Sequence, residues 1–184
     1  MFQQGHVLTM SGAWTIELAD DFQFGLQELK SHLPRNREQK HVTIHLLNYA
    51  LNMDSVTQYL SLLRRVFSEL EIHVNIVGEG KLSGASLLLL TGSNVGIPGR
   101  DSRKLFANSK LSLSLAEANA LPEKKMGFSE TEKPLPIPKC EEIRLLPQEW
   151  IARFEAGKTL RPTPEQCLQE KLIDKILTSG FTRK

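Results

Sequence analysis

The sequence contains little cysteine, which excludes several kinds of site. Cys140 and Cys167 are its two thiols among 184 residues, and they lie far apart in the chain. They form neither a CxxC redox pair nor a four-cysteine zinc site. His41, His45 and His73 could be suggested as metal ligands, but their places on strands are expected to keep them apart. We therefore predict no metal, no cofactor, and two reduced thiols typical of a cytoplasmic protein.

A large excess of one charge and long apolar runs are also missing. Lys and Arg number 23 and Asp and Glu number 21, which leaves a net charge of +2. This balance gives no general electrostatic reason to expect a nucleic acid or an anionic membrane as partner. The longest apolar run, Leu87–Leu90, is far shorter than the roughly 20 residues of a membrane span. The N-terminal stretch MFQQGHVLTM does not resemble a secretory signal either, so a soluble cytoplasmic protein is expected.

Strand-like and helix-like segments alternate through the first part of the sequence. The helices show apolar residues three and four positions apart, and the strands are rich in β-branched and apolar residues. The connections between successive strands are long enough for right-handed crossovers, so we predict an α/β fold with a mainly parallel sheet and βαβ units. The predicted strands are His6–Met10, His41–Leu47 and Ile72–Val77, and the predicted helices are Ile16–Leu33, Val56–Leu70 and Ser83–Thr91.

The rest of the sequence has a different character. Residues 1–110 are assigned to the α/β core and residues 111–146 to a proline-rich loop or extension. Residues 147–184 are predicted to form a helical segment that packs on the core or on a partner. Its helices are expected over Pro147–Glu155 and Pro164–Leu177, because apolar residues recur there at helical spacing.

The glycines after the third predicted strand have two interpretations. Gly78 and Gly80 begin like the G-x-G-x-x-G turn of a dinucleotide site, between a strand and a helix. Ser83 stands where the third glycine belongs, and Leu82 follows Lys81 where a P-loop needs Ser or Thr. A tight turn with close packing of the following helix explains these glycines better.

Ser83 has a chemical and a structural interpretation. Several hydrolases place their nucleophile at the first turn of an apolar helix that follows a glycine-rich turn, where backbone N–H groups can hold an oxyanion. The same place is typical of a serine that caps a helix. The local sequence leaves both open.

Several segments, in order along the chain, resemble the ClpP-type peptidases of the ClpP/crotonase superfamily. Gly80–Gly92 looks like the segment that carries the family's nucleophile, and Ser102-Arg103 resembles the turn before its catalytic histidine. Pro164–Ile176 is similar to the family's closing A-x-E-A-x-x-x-G-L-I-D-x-I segment. The resemblance implies a ClpP-like fold and, because family members bury apolar faces in rings or trimers, self-association.

The departures from the family's pattern concern catalysis. All five histidines precede Ser83, and Asn108 lies in the region where the family has its histidine. Lys158 stands near the place of the family's catalytic aspartate, and the bulkier Tyr49–Leu51 replaces its Gly-Gly oxyanion loop. Because a serine nucleophile needs a base to take its proton, we predict a catalytically degenerate relative that is not an enzyme.

Two uses of the same fold remain as alternatives. A serine hydrolase could use a lysine as its base, and Lys81, Lys104 and Lys158 are the candidates, provided that burial lowers the lysine's pKa. The crotonase branch binds acyl-CoA, but the sequence offers neither the glutamate pair nor the phosphate-binding cluster that this use implies.

A second resemblance points to a different class of protein. Met10–Thr15, the helix after it and the strand leading to Met53-Asp54-Ser55 are similar to STAS domains. In those domains the serine of the D-S pair caps a helix and can be phosphorylated. Ser55 would then be a switch, because a phosphate adds nearly two negative charges at a partner surface.

The function expected from these observations is binding or assembly. Trp150 and Phe154 lie on one face of a predicted helix and could contact a protein partner or a second copy. Packing within the chain explains both side chains equally well. The expected partners are therefore proteins, including the chain itself, and not nucleic acids.

Overall fold

The computed structural model describes residues 2–4, 7–13, 16–32, 41–67, 73–92, 103–119 and 140–178. Strands and helices alternate in them, which gives the predicted α/β fold. The strands are β1 (Phe2–Gln4), β2 (Val7–Ala13), β3 (His41–Leu51), β4 (His73–Glu79), β5 (Lys81–Gly84), β6 (Arg103–Phe106), β7 (Lys110–Ser112) and β8 (Lys175–Leu177). The helices are α1 (Ile16–His32), α2 (Met53–Phe67), α3 (Ser86–Gly92), α4 (Leu115–Asn119), α5 (Gln148–Glu155) and α6 (Pro164–Gln169), with a 3-10 helix at Glu141–Leu145.

The strands form one curled sheet that is mainly parallel. Its order is β1-β2-β3-β4-β6-β8, with β5 attached to β3 and β7 attached to β5. Among the described strands, β1 pairs with β2 in the antiparallel direction and every other pair is parallel. The predicted mainly parallel sheet with βαβ crossovers is confirmed.

A bulge at Asn48 divides β3 into two parts. The register between β2 and β3 shifts there, and Asn48 has a φ of 46°. Before the bulge β3 pairs with β4, and after it Leu51 pairs with Gly84 of β5. Because a bulge bends its strand, it directs the end of β3 away from β4 and towards β5. The strand predicted over His41–Leu47 therefore ends too early, since β3 continues to Leu51.

Helices α1, α2 and α3 pack on the sheet and on one another. The rings of Phe22 on α1 and Tyr59 on α2 lie 4.3 Å apart, and every residue of α3 is buried. The hydroxyl of Tyr59 is hydrogen-bonded to that of Tyr49 on β3. Burial raises the pKa of both phenols, so they stay protonated and hold α2 to the strand.

The C-terminal part differs from the prediction in one element. α5 agrees with the helix expected over Pro147–Glu155, but the helix expected over Pro164–Leu177 ends at Gln169. Lys171 adopts a φ of 58°, and the chain then forms β8 beside β6. A left-handed residue cannot continue a right-handed helix, which is why the helical pattern stops there.

The proposed division of the chain at residues 110 and 146 stays a prediction. β7 and α4 follow residue 110, and β7 is part of the same sheet as the core strands. Residues 120–139, most of the predicted proline-rich segment, lie outside the described residues.

Candidate functional site

Ser83 lies in a strand and not at the start of a helix. It is half-buried in β5, where it pairs with Ser112 of β7. Helix α3 begins only at Ser86, so the helix expected over Ser83–Thr91 starts too early in the chain. Within the described part of the chain, the Ser83 hydroxyl makes no hydrogen bond to a basic side chain.

The turn between β5 and α3 is made by Gly84, which has a φ of 62°. A Cβ atom built on Gly84 would lie 2.2 Å from the carbonyl oxygen of Leu51 and 3.2 Å from that of Glu117. Non-bonded carbon and oxygen atoms do not approach to 2.2 Å. Hydrolases with a strand–turn–helix arrangement carry their nucleophile at this kind of turn. Here the turn holds no side chain and has no room for one.

The backbone N–H that follows Gly84 is also engaged. Ala85 donates its N–H to the carbonyl oxygen of Leu51 at 2.7 Å. An oxyanion site needs N–H groups that point at the reacting atom and are free to bond it. The buried Ser86 hydroxyl lies 3.1 Å from the carbonyl oxygen of Tyr49 and 2.8 Å from that of Ser83, so it bonds the backbone.

A cluster that the sequence analysis missed lies next to Ser83. The hydroxyl of Ser112, at the end of β7, donates to the Glu117 carboxylate of α4 at 2.9 Å. The hydroxyl of Ser114, directly before α4, donates to the same carboxylate at 3.2 Å. The N–H of Glu117 donates to the Ser114 hydroxyl at 3.2 Å, so these two residues cap α4. The signal that could have found the cap is the spacing Ser-x-x-Glu before a helix. The cluster holds α4 beside β5, and the Glu117 carboxylate accepts from Ser112 and Ser114 and not from Ser83.

Asn108 and Lys158, which stand near the places of the family's catalytic partners, are both exposed. Asn108 lies in the turn between β6 and β7, and the length of β7 separates it from the Ser112 that pairs with Ser83. Lys158 follows α5. Within the described residues, neither side chain is hydrogen-bonded to Ser83.

The candidate lysine bases are not hydrogen-bonded to Ser83 in the described residues. Lys81 is exposed on β5 and Lys104 is half-buried on β6. Within the described residues, the Lys81 side chain makes no hydrogen bond, while its N–H donates to the Asn48 side chain at 2.9 Å.

The glycines of the turn before β5 are explained by packing. A Cβ at Gly78 would lie 2.5 Å from Leu82 and 2.6 Å from Leu105. One at Gly80, which has a φ of 73°, would lie 2.3 Å from the Asn48 side-chain oxygen. These positions are filled by the protein's own atoms, which favours a tight turn over a nucleotide site.

Ser55 is buried in the first turn of α2. Asn52 caps that helix, because its side-chain oxygen accepts the N–H of Ser55 at 3.0 Å. The Ser55 side chain is not at the surface, and its residue is only 6% exposed. A kinase would need local opening of α2 to reach the hydroxyl, so the phosphate switch stays a prediction that the geometry does not favour.

Two segments of the ClpP resemblance meet beside β8. Arg103 donates its guanidinium to both carboxylate oxygens of Asp174, at 2.7 and 3.1 Å. Its N–H also donates to the same carboxylate at 2.8 Å, while Asp174 returns its N–H to the carbonyl of Arg103. The arginine of the Ser-Arg turn and the aspartate of the closing segment thus join β6 to β8.

The described histidines and cysteines lie in separate parts of the fold. His41 and His73 are paired neighbours on β3 and β4, which is closer than expected, while His45 Nε2 lies 2.8 Å from Glu79. In the described residues no three His, Cys, Asp or Glu side chains are grouped to hold a metal ion. Burial raises the pKa of the Cys140 and Cys167 thiols to about 12, so both are unreactive at neutral pH.

The proposed interaction residues separate into two environments. Phe154 is fully buried in the core of this chain, so its side chain is not presented to a partner. Trp150 is half-buried and lines a cavity of about 350 Å³ with residues of the segment 153–166. The interaction role expected for both residues stays a prediction, and the burial of Phe154 does not favour it there.

Comparison with known proteins identifies the fold. ClpP1 from Listeria monocytogenes matches with a TM-score of 0.58 at 13% sequence identity, over 98% of this chain and 95% of that one. The chain has a ClpP-like fold. The ClpP protease catalytic domain from Plasmodium falciparum matches over 96% of this chain and 87% of its own, with a TM-score of 0.57 and 13% identity.

The likeness lies in structure and not in sequence. No family model and no curated protein matches the chain. The ClpP-like fold accounts for nearly the whole chain, whereas the STAS resemblance concerned only its first half. In the described part of the chain, no helix has the length and apolar character needed to cross a bilayer.

Proposed function

We propose that this chain is a non-catalytic ClpP-like protein that acts by binding a protein partner or by self-association. The observation that supports this most is the closed turn at Gly84. The Leu51 carbonyl fills the space where a nucleophile's side chain would stand, and it also takes the N–H of Ala85. A substrate carbonyl would find neither an attacking group nor a free donor there.

The surroundings of Ser83 support the same proposal. Its hydroxyl lacks a hydrogen-bonded base in the described residues, and the sequence has no histidine after it. Without a base the hydroxyl stays protonated at neutral pH and is a weak nucleophile.

The absence of catalysis is tested with a fluorophosphonate probe that modifies activated serines. We expect no stoichiometric labelling of the native protein, and intact mass spectrometry measures it. Ser83→Ala is the matched control. Its own mass is lower than that of the wild type by one oxygen atom, and it should likewise gain no mass from the probe. One probe adduct at Ser83, lost in Ser83→Ala, contradicts the proposal and favours the lysine-base hydrolase.

The binding half of the proposal names exposed apolar side chains as candidate contact positions. Phe24, Leu145 and Leu168 are 64%, 52% and 41% exposed. Single exposed apolar side chains are normal on a protein surface, whereas several side by side mark a contact surface, so variants at these positions test the proposal. A cytoplasmic location accords with such a role and is part of the proposal.

Self-association is tested by light scattering on the purified protein. We expect a mass that is a whole multiple of the 20.7 kDa chain and greater than one chain. Replacement of Phe24 or Leu168 by Glu should lower that mass if the residue lies in the contact. A strictly monomeric species over a wide concentration range contradicts self-association and leaves a separate partner as the remaining form of the proposal.

A further inference from the structure

The cavity beside Trp150 carries an unusual set of side chains. It has a volume of about 350 Å³, and Arg153 and Arg161 line it together with the indole of Trp150. Such a volume falls within the range of small-ligand sites. Two cationic groups therefore face one cavity, and neither is paired with a carboxylate within the described residues.

The walls of the cavity are held in place by hydrogen bonds. Leu160 and Leu113 exchange backbone hydrogen bonds at 2.8 and 3.0 Å, which fixes the segment before Arg161 to the end of β7. Thr163 caps α6, because its hydroxyl accepts the N–H of Gln166 at 3.2 Å and its own N–H donates to the Gln166 side chain at 2.9 Å. A site formed in advance loses little conformational entropy when a ligand binds.

We propose that this cavity binds an acidic peptide segment that carries an aromatic side chain, which gives the binding role proposed above a defined place. A guanidinium presents paired N–H donors that match the two oxygens of a carboxylate. The half-buried indole of Trp150 offers a flat apolar surface on which an aromatic ring can stack. Arg153 and Arg161 supply the charge and Trp150 supplies the apolar contact.

Isothermal titration calorimetry on the full chain tests this inference with defined probes. The first is the capped peptide Ac-Glu-Glu-Tyr-Glu-Glu-NH2, and the second replaces each Glu by Gln. We expect measurable binding of the acidic peptide, at least tenfold tighter than that of the neutral one, and weaker binding at high salt because ions screen the charges. Equal affinity for both peptides, or binding of neither, overturns the inference.

Variants decide whether the cavity is the place of binding. The double variant Arg153→Glu, Arg161→Glu should bind the acidic peptide at least tenfold more weakly than the wild type does. The exposed Arg144 lies outside the cavity, and Arg144→Glu should change the affinity for this peptide less than twofold. Both arginines are exposed, so circular dichroism should show an unchanged fold. An equal loss in both variants means general attraction to positive charge and overturns the inference, as does inorganic phosphate binding as tightly as the peptide.

Failure of this inference is separate from failure of the proposed function. If the acidic peptide does not bind and the probe forms no adduct at Ser83, the cavity is overturned as the binding place. The non-catalytic role then still stands. A probe adduct at Ser83 overturns the non-catalytic role whatever the calorimetry shows.

Discussion

Gly84→Ala is expected to lower the free energy of unfolding by about 3 kcal/mol or more. A left-handed backbone costs an alanine roughly 1–2 kcal/mol, and forcing an extra carbon into packed atoms adds about 1–3 kcal/mol. Here the added Cβ would meet the Leu51 carbonyl at 2.2 Å, and that atom belongs to the backbone of a central strand. The pairing of β5 with β3 must shift to relieve the contact. Urea unfolding followed by circular dichroism measures the loss.

Gly157→Ala is the matched control for this prediction. Gly157 also has a positive φ, of 76°, but a Cβ there meets no atom within 4 Å. Gly157→Ala should therefore lower the free energy of unfolding only by the cost of the left-handed backbone, about 1 kcal/mol. If the two variants unfold at the same urea concentration, the turn at Gly84 is not closed by Leu51, and the main support for a non-catalytic protein is lost.

Phe154→Ala is expected to lower the free energy of unfolding by about 3–5 kcal/mol, the usual loss when a buried aromatic ring is removed. The side chain is fully buried within the chain and anchors α5 to the core. Chemical unfolding at fixed protein concentration measures the change, and light scattering follows the mass.

Phe24→Ala removes the same kind of ring from a residue that is 64% exposed. It should change the stability by no more than about 0.5 kcal/mol. If Phe154→Ala leaves stability unaltered but lowers the mass of an assembly, then the ring belongs to an interface, as one interpretation of the sequence had it.

The parts of the fold that depend on local pattern could be predicted from the sequence. Strand β3 is indicated by a run of β-branched and apolar residues, and helix α2 by apolar residues three and four positions apart. The parallel direction of the sheet follows from the length of the crossovers. These features depend on residues close in sequence and on the length of chain between strands.

The parts that depend on distant pairing could not be predicted. Leu172, Ile173 and Ile176 read as one side of a helix, but β6 provides a strand beside which this segment pairs. The family's closing segment has a glycine before its L-I-D, where this chain has Lys171. A glycine there would have indicated the left-handed turn, and a lysine gives no such sign.

The sequence shows that no histidine follows Ser83, but it does not show that Leu51 closes the turn at Gly84. The order of the histidines before Ser83 is visible in the sequence, and so is the lysine near the aspartate's place. The closure at Gly84 depends on the bulge at Asn48, which brings Leu51 onto β5. A bulge inside an apolar strand has no reliable local signal, so its effect appears only in three dimensions.

The last strand of the sheet has a consequence for how the molecule forms. Arg103 and Asp174, which join β6 to β8, are 71 residues apart in the chain. During synthesis, β6 therefore emerges long before the strand that will cover it, and its edge stays open to other chains in the meantime. Crowded ribosomes on one message would bring such edges together, so a chaperone that covers β6 at this stage would favour the correctly closed sheet.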